Sequence, residues 1–146
     1  MRNYLVIGYG NTLRSDDGAG QAVAERVDRW QTPEVDSLSV HQLTPELADT
    51  IAQSQTVIFV DVQRSEENTS LQCYAIEPNP SKTSLAHSTS PQALLSLTQH
   101  LYNATPNAYW LLIPAVNFDF GETFSPTTQQ GIQEAVETIK QLTINN

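Results

Sequence analysis

The run Thr56-Val57-Ile58-Phe59-Val60-Asp61 constrains this chain more than any other stretch. It is apolar on both alternating faces until it meets the aspartate. A strand that hides both faces suits the middle of a parallel sheet covered by helices on each side. Parallel neighbours need long crossovers, usually helical, and the flanking sequence supplies them. Tyr4-Leu5-Val6-Ile7 is a second apolar run, closed by Gly8 and followed by a glycine-rich loop over residues 8–20. Val23, Val27 and Trp30 then recur at i, i+4 and i+7, with Ala19 and Ala22 on the same side. That spacing predicts an amphipathic helix fading at Pro33. Over residues 35–42, Leu38 and Val40 alternate with Ser37, Ser39 and His41, which predicts a strand. Thr44 can cap a second helix with Pro45 at its first position.

The second half repeats the alternation. Residues 71–77 read as an edge strand, and residues 78–90 as a long loop carrying His87. Ser90-Pro91 opens a helix marked by Leu94, Leu97 and Leu101 and running to about Asn103. Residues 109–113 form a strand ended by Pro114, and residues 117–124 a loop. Ser125-Pro126 opens the last helix, with Ile132, Val136 and Ile139 on its inner face. There is no internal repeat and no dividing linker. The expected fold is α/β: a three-layer α/β/α sandwich with a mostly parallel five-stranded twisted sheet, one domain over residues 1–146.

A chain of 146 residues can bury a core without crosslinks, and the lone Cys73 can close no internal disulfide and build no zinc cluster. Seven basic and sixteen acidic residues give a formal net charge of −9. That balance argues against nucleic-acid or anionic-membrane partners, which need a basic face. No apolar run approaches the roughly 20 residues of a membrane span. Met1-Arg2-Asn3-Tyr4 leads straight into a strand pattern rather than a signal peptide. The expectation is an acidic cytoplasmic protein and, with no heptad or unusually apolar exposed helix, a monomer.

In such folds ligands bind at the carboxyl ends of the strands, near the switch in strand order. The loops after Ile7 and after Val60, and the loop carrying His87, are therefore the places to look. Gly8-Tyr9-Gly10 between strand and helix invites a dinucleotide reading, but Leu13 stands where a third glycine is needed. Asp16 and Asp17 near the helix start disfavour a pyrophosphate there and favour a cation. Asp61, at the end of a buried run, should project into the crevice. With His87, two carboxylates make an oxygen–oxygen–nitrogen ligand set suited to a borderline divalent metal such as nickel or zinc.

Each of these residues also has a plainer reading. Asp17 can cap the first helix, Asp16 can be solvated or capping, and Asp61 can cap a turn. His87 can be structural or solvent-facing. His41 and His100 read as structural, Cys73 as a small packing residue, and Glu134 and Glu137 as a solvated helix face.

The loop Gly8-Tyr9-Gly10-Asn11-Thr12-Leu13-Arg14-Ser15-Asp16-Asp17-Gly18-Ala19-Gly20 resembles the opening signature of the nickel–iron hydrogenase maturation proteases. The strand ending in Asp61 is similar to that family's second signature. His87 with Ser88-Thr89-Ser90-Pro91 and Leu94-Leu95 is similar to its third. The resemblance implies an endopeptidase that recognises nickel in the hydrogenase large-subunit precursor and removes its C-terminal extension. It implies that Asp17, Asp61 and His87 contact the metal, with Asp17 and Asp61 the catalytic candidates. Gly8, Gly10, Asn11 and Asp16 would shape the loop. Nickel would come with the substrate, and no tightly bound cofactor of the chain's own is expected. Two departures stand out. His41-Gln42-Leu43-Thr44 occupies the place where many relatives have an Asp-Gly-Gly-Thr-like segment, and Asp17 stands where glutamate is common. The alternatives are a nucleotide-binding module or a non-cleaving metal-binding assembly module using the glycine-rich loop.

Overall fold

The computed structural model describes residues 2–80 and 89–144. Its strands are β1 (Arg2–Tyr9), β2 (Val35–Val40), β3 (Ser54–Arg64), β4 (Gln72–Ala75) and β5 (Asn107–Ala115). The helices are α1 (Ala19–Asp28), α2 (Leu47–Ala52), α3 (Pro91–Tyr102) and α4 (Pro126–Ile144), and a 3-10 turn over Ser15–Gly18 leads into α1. Among the described residues the strands form one sheet in the order β2-β1-β3-β5-β4. β2, β1, β3 and β5 run parallel, and β4 is antiparallel on the edge.

The apolar runs sit where their burial pattern requires. Leu5, Val6, Ile7, Val57, Ile58, Phe59 and Val60 are completely buried. Val6, Ile58 and Val60 face α1 and α4, packing on Val23, Val27, Ile132 and Ile139. Leu5, Ile7, Val57 and Phe59 face the other way, onto Ala48 and Ile51 of α2 and Leu94 and Leu95 of α3. The result is three layers with a double-faced central sheet. Because β1 connects outward to β2 while β3 leads towards β5, the switch in strand order lies between β1 and β3. Their carboxyl ends border the crevice where such folds bind ligands.

Several expected boundaries move. α1 ends at Asp28, and Trp30 packs against the core from beyond it. α2 begins at Leu47, not at Pro45, and its start has no side-chain cap. Thr44 instead accepts the Leu47 N–H through its carbonyl. α3 turns Ala93, Leu94, Leu95 and Thr98 inward and leaves Leu101 exposed. It starts as expected, with the Ser90 hydroxyl accepting the Ala93 N–H, and ends with Asn103 in the left-handed region. β5 continues through Pro114 to Ala115. Its pairing with β4 already stops at Leu112, so a proline without an N–H costs the sheet no bond on that side. β3 runs three residues past Asp61, to Arg64. Cys73 lies on the edge strand but is exposed rather than packed.

Candidate active site

β1 and β3 stay in register up to Gly8 opposite Val60. Asp61 is therefore the first β3 residue beyond the ladder shared with β1, although its own strand continues alongside β5. Strand alternation puts it on the α2/α3 face, in line with Val57 and Phe59. There β1 ends and the chain leaves as the glycine-rich loop.

That loop is built around close backbone contacts. A Cβ on Gly8 would run into the Gly20 carbonyl oxygen. One on Gly20 would lie 2.5 Å from the Val60 oxygen and 2.6 Å from the Tyr9 oxygen. The pair lets the first turn of α1 sit directly on the carboxyl ends of β1 and β3. Gly10, at φ +144°, occupies a conformation that side chains rarely adopt, and its Cβ would strike the Asp17 carbonyl. Asn11 follows with two bonds. Its side-chain oxygen accepts the Leu13 N–H at 2.9 Å, and its backbone N–H donates to Asp17 Oδ2 at 2.8 Å. The capping role read for Asp17 does not occur: the residue before α1 is Gly18, with no side-chain cap. The Asp17 carboxylate turns back into its own loop.

Asp16 is the larger correction. The reading of a solvated or capping acid fails, because Asp16 is completely buried. Its carboxylate accepts the N–H groups of Val116 (2.9 Å), Asn117 (3.0 Å) and Ser125 (2.8 Å), and the Ser125 hydroxyl (2.8 Å). Burial works against its charge, but these bonds from Ser125, Val116 and Asn117 outweigh burial and hold its pKa below the usual carboxylate value. The Ser125 hydroxyl meanwhile accepts the Thr128 N–H at the start of α4. Asp16 thus ties the first loop to the segment between β5 and α4. The two segments are also joined by backbone bonds, from Ser15 N–H to the Gly121 oxygen and from Gly121 N–H to the Leu13 oxygen.

Asp61 has the opposite electrostatics. Burial pushes its pKa up from 3.8 to about 6, and the charge of Asp17 pushes the same way. The Val62 N–H, donating to Oδ1 at 2.7 Å, and the Tyr9 hydroxyl pull it back only in part. Tyr9 is raised strongly, first by burial and then by the Asp61 charge, so it remains a phenol that donates to the carboxylate. The buried Trp110 indole N–H lies against the Tyr9 oxygen without a well-aligned hydrogen bond. Tyr9 and Trp110 were missed in the sequence. Their signal was phase: Tyr9 continues the Leu5–Ile7 alternation, and Trp110 follows Ala108 on the same face.

The fold thus brings together Asp17, Asp61 and Tyr9. His87 lies outside the described residues. Among the described residues no three of His, Cys, Asp and Glu gather closely enough to hold a metal ion. A two-carboxylate half-site fits a divalent cation that arrives with further ligands. Cys73 is no activated thiol, since partial desolvation raises its pKa, and it sits on the far edge strand. No helix among the described residues is long and apolar enough to cross a membrane.

The architecture matches solved structures of hydrogenase maturation proteases. The HycI hydrogenase maturation protease of Thermococcus kodakarensis superposes with a TM-score of 0.75 at 20% identity, over 99% of this chain and 93% of that one. The hydrogenase maturating endopeptidase HybD of Escherichia coli gives 0.74 at 20%, over 97% and 91%. A hydrogenase 2 maturation peptidase from a Thaumarchaeota archaeon gives 0.71 at 20%, over 97% of both chains. This is the hydrogenase maturation protease fold. No protein-family model and no curated sequence matches the chain. At this identity the likeness is one of architecture, and within the hydrogenase maturation protease fold Asp17 and Asp61 stand at the switch between β1 and β3.

Proposed function

We propose that the chain is an endopeptidase of the hydrogenase maturation family. It recognises nickel in the large-subunit precursor of a nickel–iron hydrogenase and removes the precursor's C-terminal extension. The observation that carries this reading is the convergence of Asp17 and Asp61 at the strand switch, where the charge of one raises the pKa of the other. Among the described residues neither has an ion-pairing partner, and burial of Asp61 beside the Asp17 charge makes its ionised form costly. A divalent ion held by the substrate offsets that charge. Carboxylates add oxygen ligands without displacing the softer ones that a substrate uses to keep its metal. His87 would supply the third contact. The carboxylate pair, or the ion it meets, polarises the scissile amide or activates the attacking water. The same reading makes the protein a cytoplasmic monomer with no resident cofactor.

The geometry is unfavourable to a nucleotide module. A phosphate-binding loop offers free N–H groups, whereas here the Asn11 N–H is occupied by Asp17 and those of Val116, Asn117 and Ser125 by Asp16. The deciding experiment mixes the protein with nickel-loaded and nickel-free large-subunit precursor and follows the C-terminal extension by mass spectrometry. The expected outcome is cleavage of the nickel-loaded form alone, lost in Asp17→Ala, Asp61→Ala and His87→Ala. Uncut precursor with folded wild type would overturn the enzyme reading for that partner. Full activity in all three variants would overturn the site.

A further inference from the structure

Two arginines stand at the same edge of the molecule in the same unusual setting. The Arg14 guanidinium lies 3.9 Å from the centre of the Phe120 ring, and that of Arg64 lies 4.2 Å from the centre of Phe118. Both rings belong to the segment between β5 and α4 that Asp16 ties down. Each arginine is three residues from an acid of the site, Arg14 before Asp17 and Arg64 after Asp61. Strand alternation turns Arg64 to the α1/α4 face, with Val60 and Val62, and Asp61 to the opposite face. The aromatic–arginine surface therefore begins across the sheet edge from the carboxylates.

Its composition is that of a contact surface. Phe120 is 78% exposed and Leu13 57% exposed, beside two arginines that make no ion pair among the described residues. Exposed aromatic rings and arginines are the residue types enriched where proteins dock. Stacking on a ring fixes a guanidinium plane and leaves its N–H edge free for a carboxylate, which it binds in two-pronged fashion. In a chain of net charge −9, the other described arginine and lysine side chains lie elsewhere. Arg26 and Arg29 are at the far end of α1, and Lys140, over Trp30, is near the end of α4.

We infer that Leu13, Arg14, Arg64, Phe118 and Phe120 form a docking surface for an extended segment of the substrate polypeptide carrying acidic side chains beside an apolar one. This deepens the endopeptidase reading and rests on it for the partner's identity. The segment crosses the carboxyl edge of the sheet, its acidic part on the arginines and its scissile part over Asp17 and Asp61. The neighbouring Asp119 and Glu122 are exposed and unpaired with either arginine, so recognition depends on the fork geometry rather than on net local charge.

The test separates binding from cleavage. Two synthetic peptides of equal length, identical except that one has glutamates flanking a leucine and the other glutamines, are titrated into the full chain. The arginine side-chain N–H and phenylalanine ring signals are followed by NMR. The glutamate peptide should shift the Arg14, Arg64, Phe118 and Phe120 signals, more at low salt than at high. The effect should disappear in the Arg14→Gln/Arg64→Gln double variant and weaken in the double lysine variant. Equal shifts from the glutamine peptide, or shifts confined to other surfaces, would overturn the inference whether or not the chain cuts a hydrogenase precursor. In the precursor assay the double glutamine variant should raise KM by about tenfold with kcat little changed. An unchanged KM for a precursor that wild type cuts overturns the docking surface and leaves the endopeptidase reading standing.

Discussion

Replacing Asp61 by Asn should make the protein more stable and less active at once. A carboxyl that titrates at about 6 rather than 3.8 is harder to ionise in the folded state, by about 3 kcal/mol. Its pKa is raised on folding, so the native state binds the proton more tightly than the unfolded chain. Stability therefore falls as pH rises from about 4 through about 6, and stays lowered above that. Asparagine keeps an oxygen to accept the Val62 N–H but has no charge to desolvate and none to oppose Asp17. The expected gain above pH 7 is about 1–3 kcal/mol, or roughly 3–10 °C in melting temperature for a chain of this size. Below pH 4 the two proteins should melt together. The assay is thermal unfolding across a pH series, in parallel with precursor cleavage, where Asp61→Asn should be inactive. Carbonyl-carbon NMR of Asp61 supplies a second reading: Asp17→Asn should lower its titration midpoint. A variant that is less stable than wild type at pH 7.5, or whose advantage does not vanish at low pH, refutes the argument.

Asp16 should behave with the opposite sign. Its pKa is depressed, so its contribution is present above the normal carboxylate pKa and lost as pH falls through the folded value. Asp16→Ala, which strands three amides and a hydroxyl, should cost about 3–5 kcal/mol in denaturant titrations at neutral pH. Gly20→Ala should cost more than about 3 kcal/mol, because its Cβ would meet the backbone oxygens of both β1 and β3; failure to express soluble protein or a collapsed melting temperature is the readout. Tyr9→Phe removes a bond that favours the charged form of Asp61. The acidic limb of the cleavage profile should therefore move to higher pH, while an unchanged limb would exclude Tyr9 from setting that charge.

What the sequence made legible followed from patterns with one physical solution. A run apolar on both faces has to be a covered strand, and Val57–Val60 is one. Ser90-Pro91 marked a helix start by a side chain that satisfies an orphan amide, and Ser90 does so. The failures came where a partner remote in sequence decides. Pro114 looked like a terminus because nothing in sequence shows that β4 has already left β5 there. Asp61 looked like a strand end because β1, its neighbour, is what ends. Asp16 and Asp17 are chemically identical neighbours, and only the amides of Val116, Asn117 and Ser125 separate a buried tie from an acid facing the site.

The Asp16 tie has a consequence in time as well as in space. Its acceptor atoms belong to residue 16, and its donors lie 100, 101 and 109 positions later in the chain. Contacts of such separation form late. A nascent chain that has released its first three strands can already pair them, but the acid loop beside them gains its fixed shape only when Ser125 has emerged. The carboxylate pair is thus set only after the strands beside it, and a ribosome-bound or truncated chain ending with β5, before Val116, would hold a sheet without a working edge.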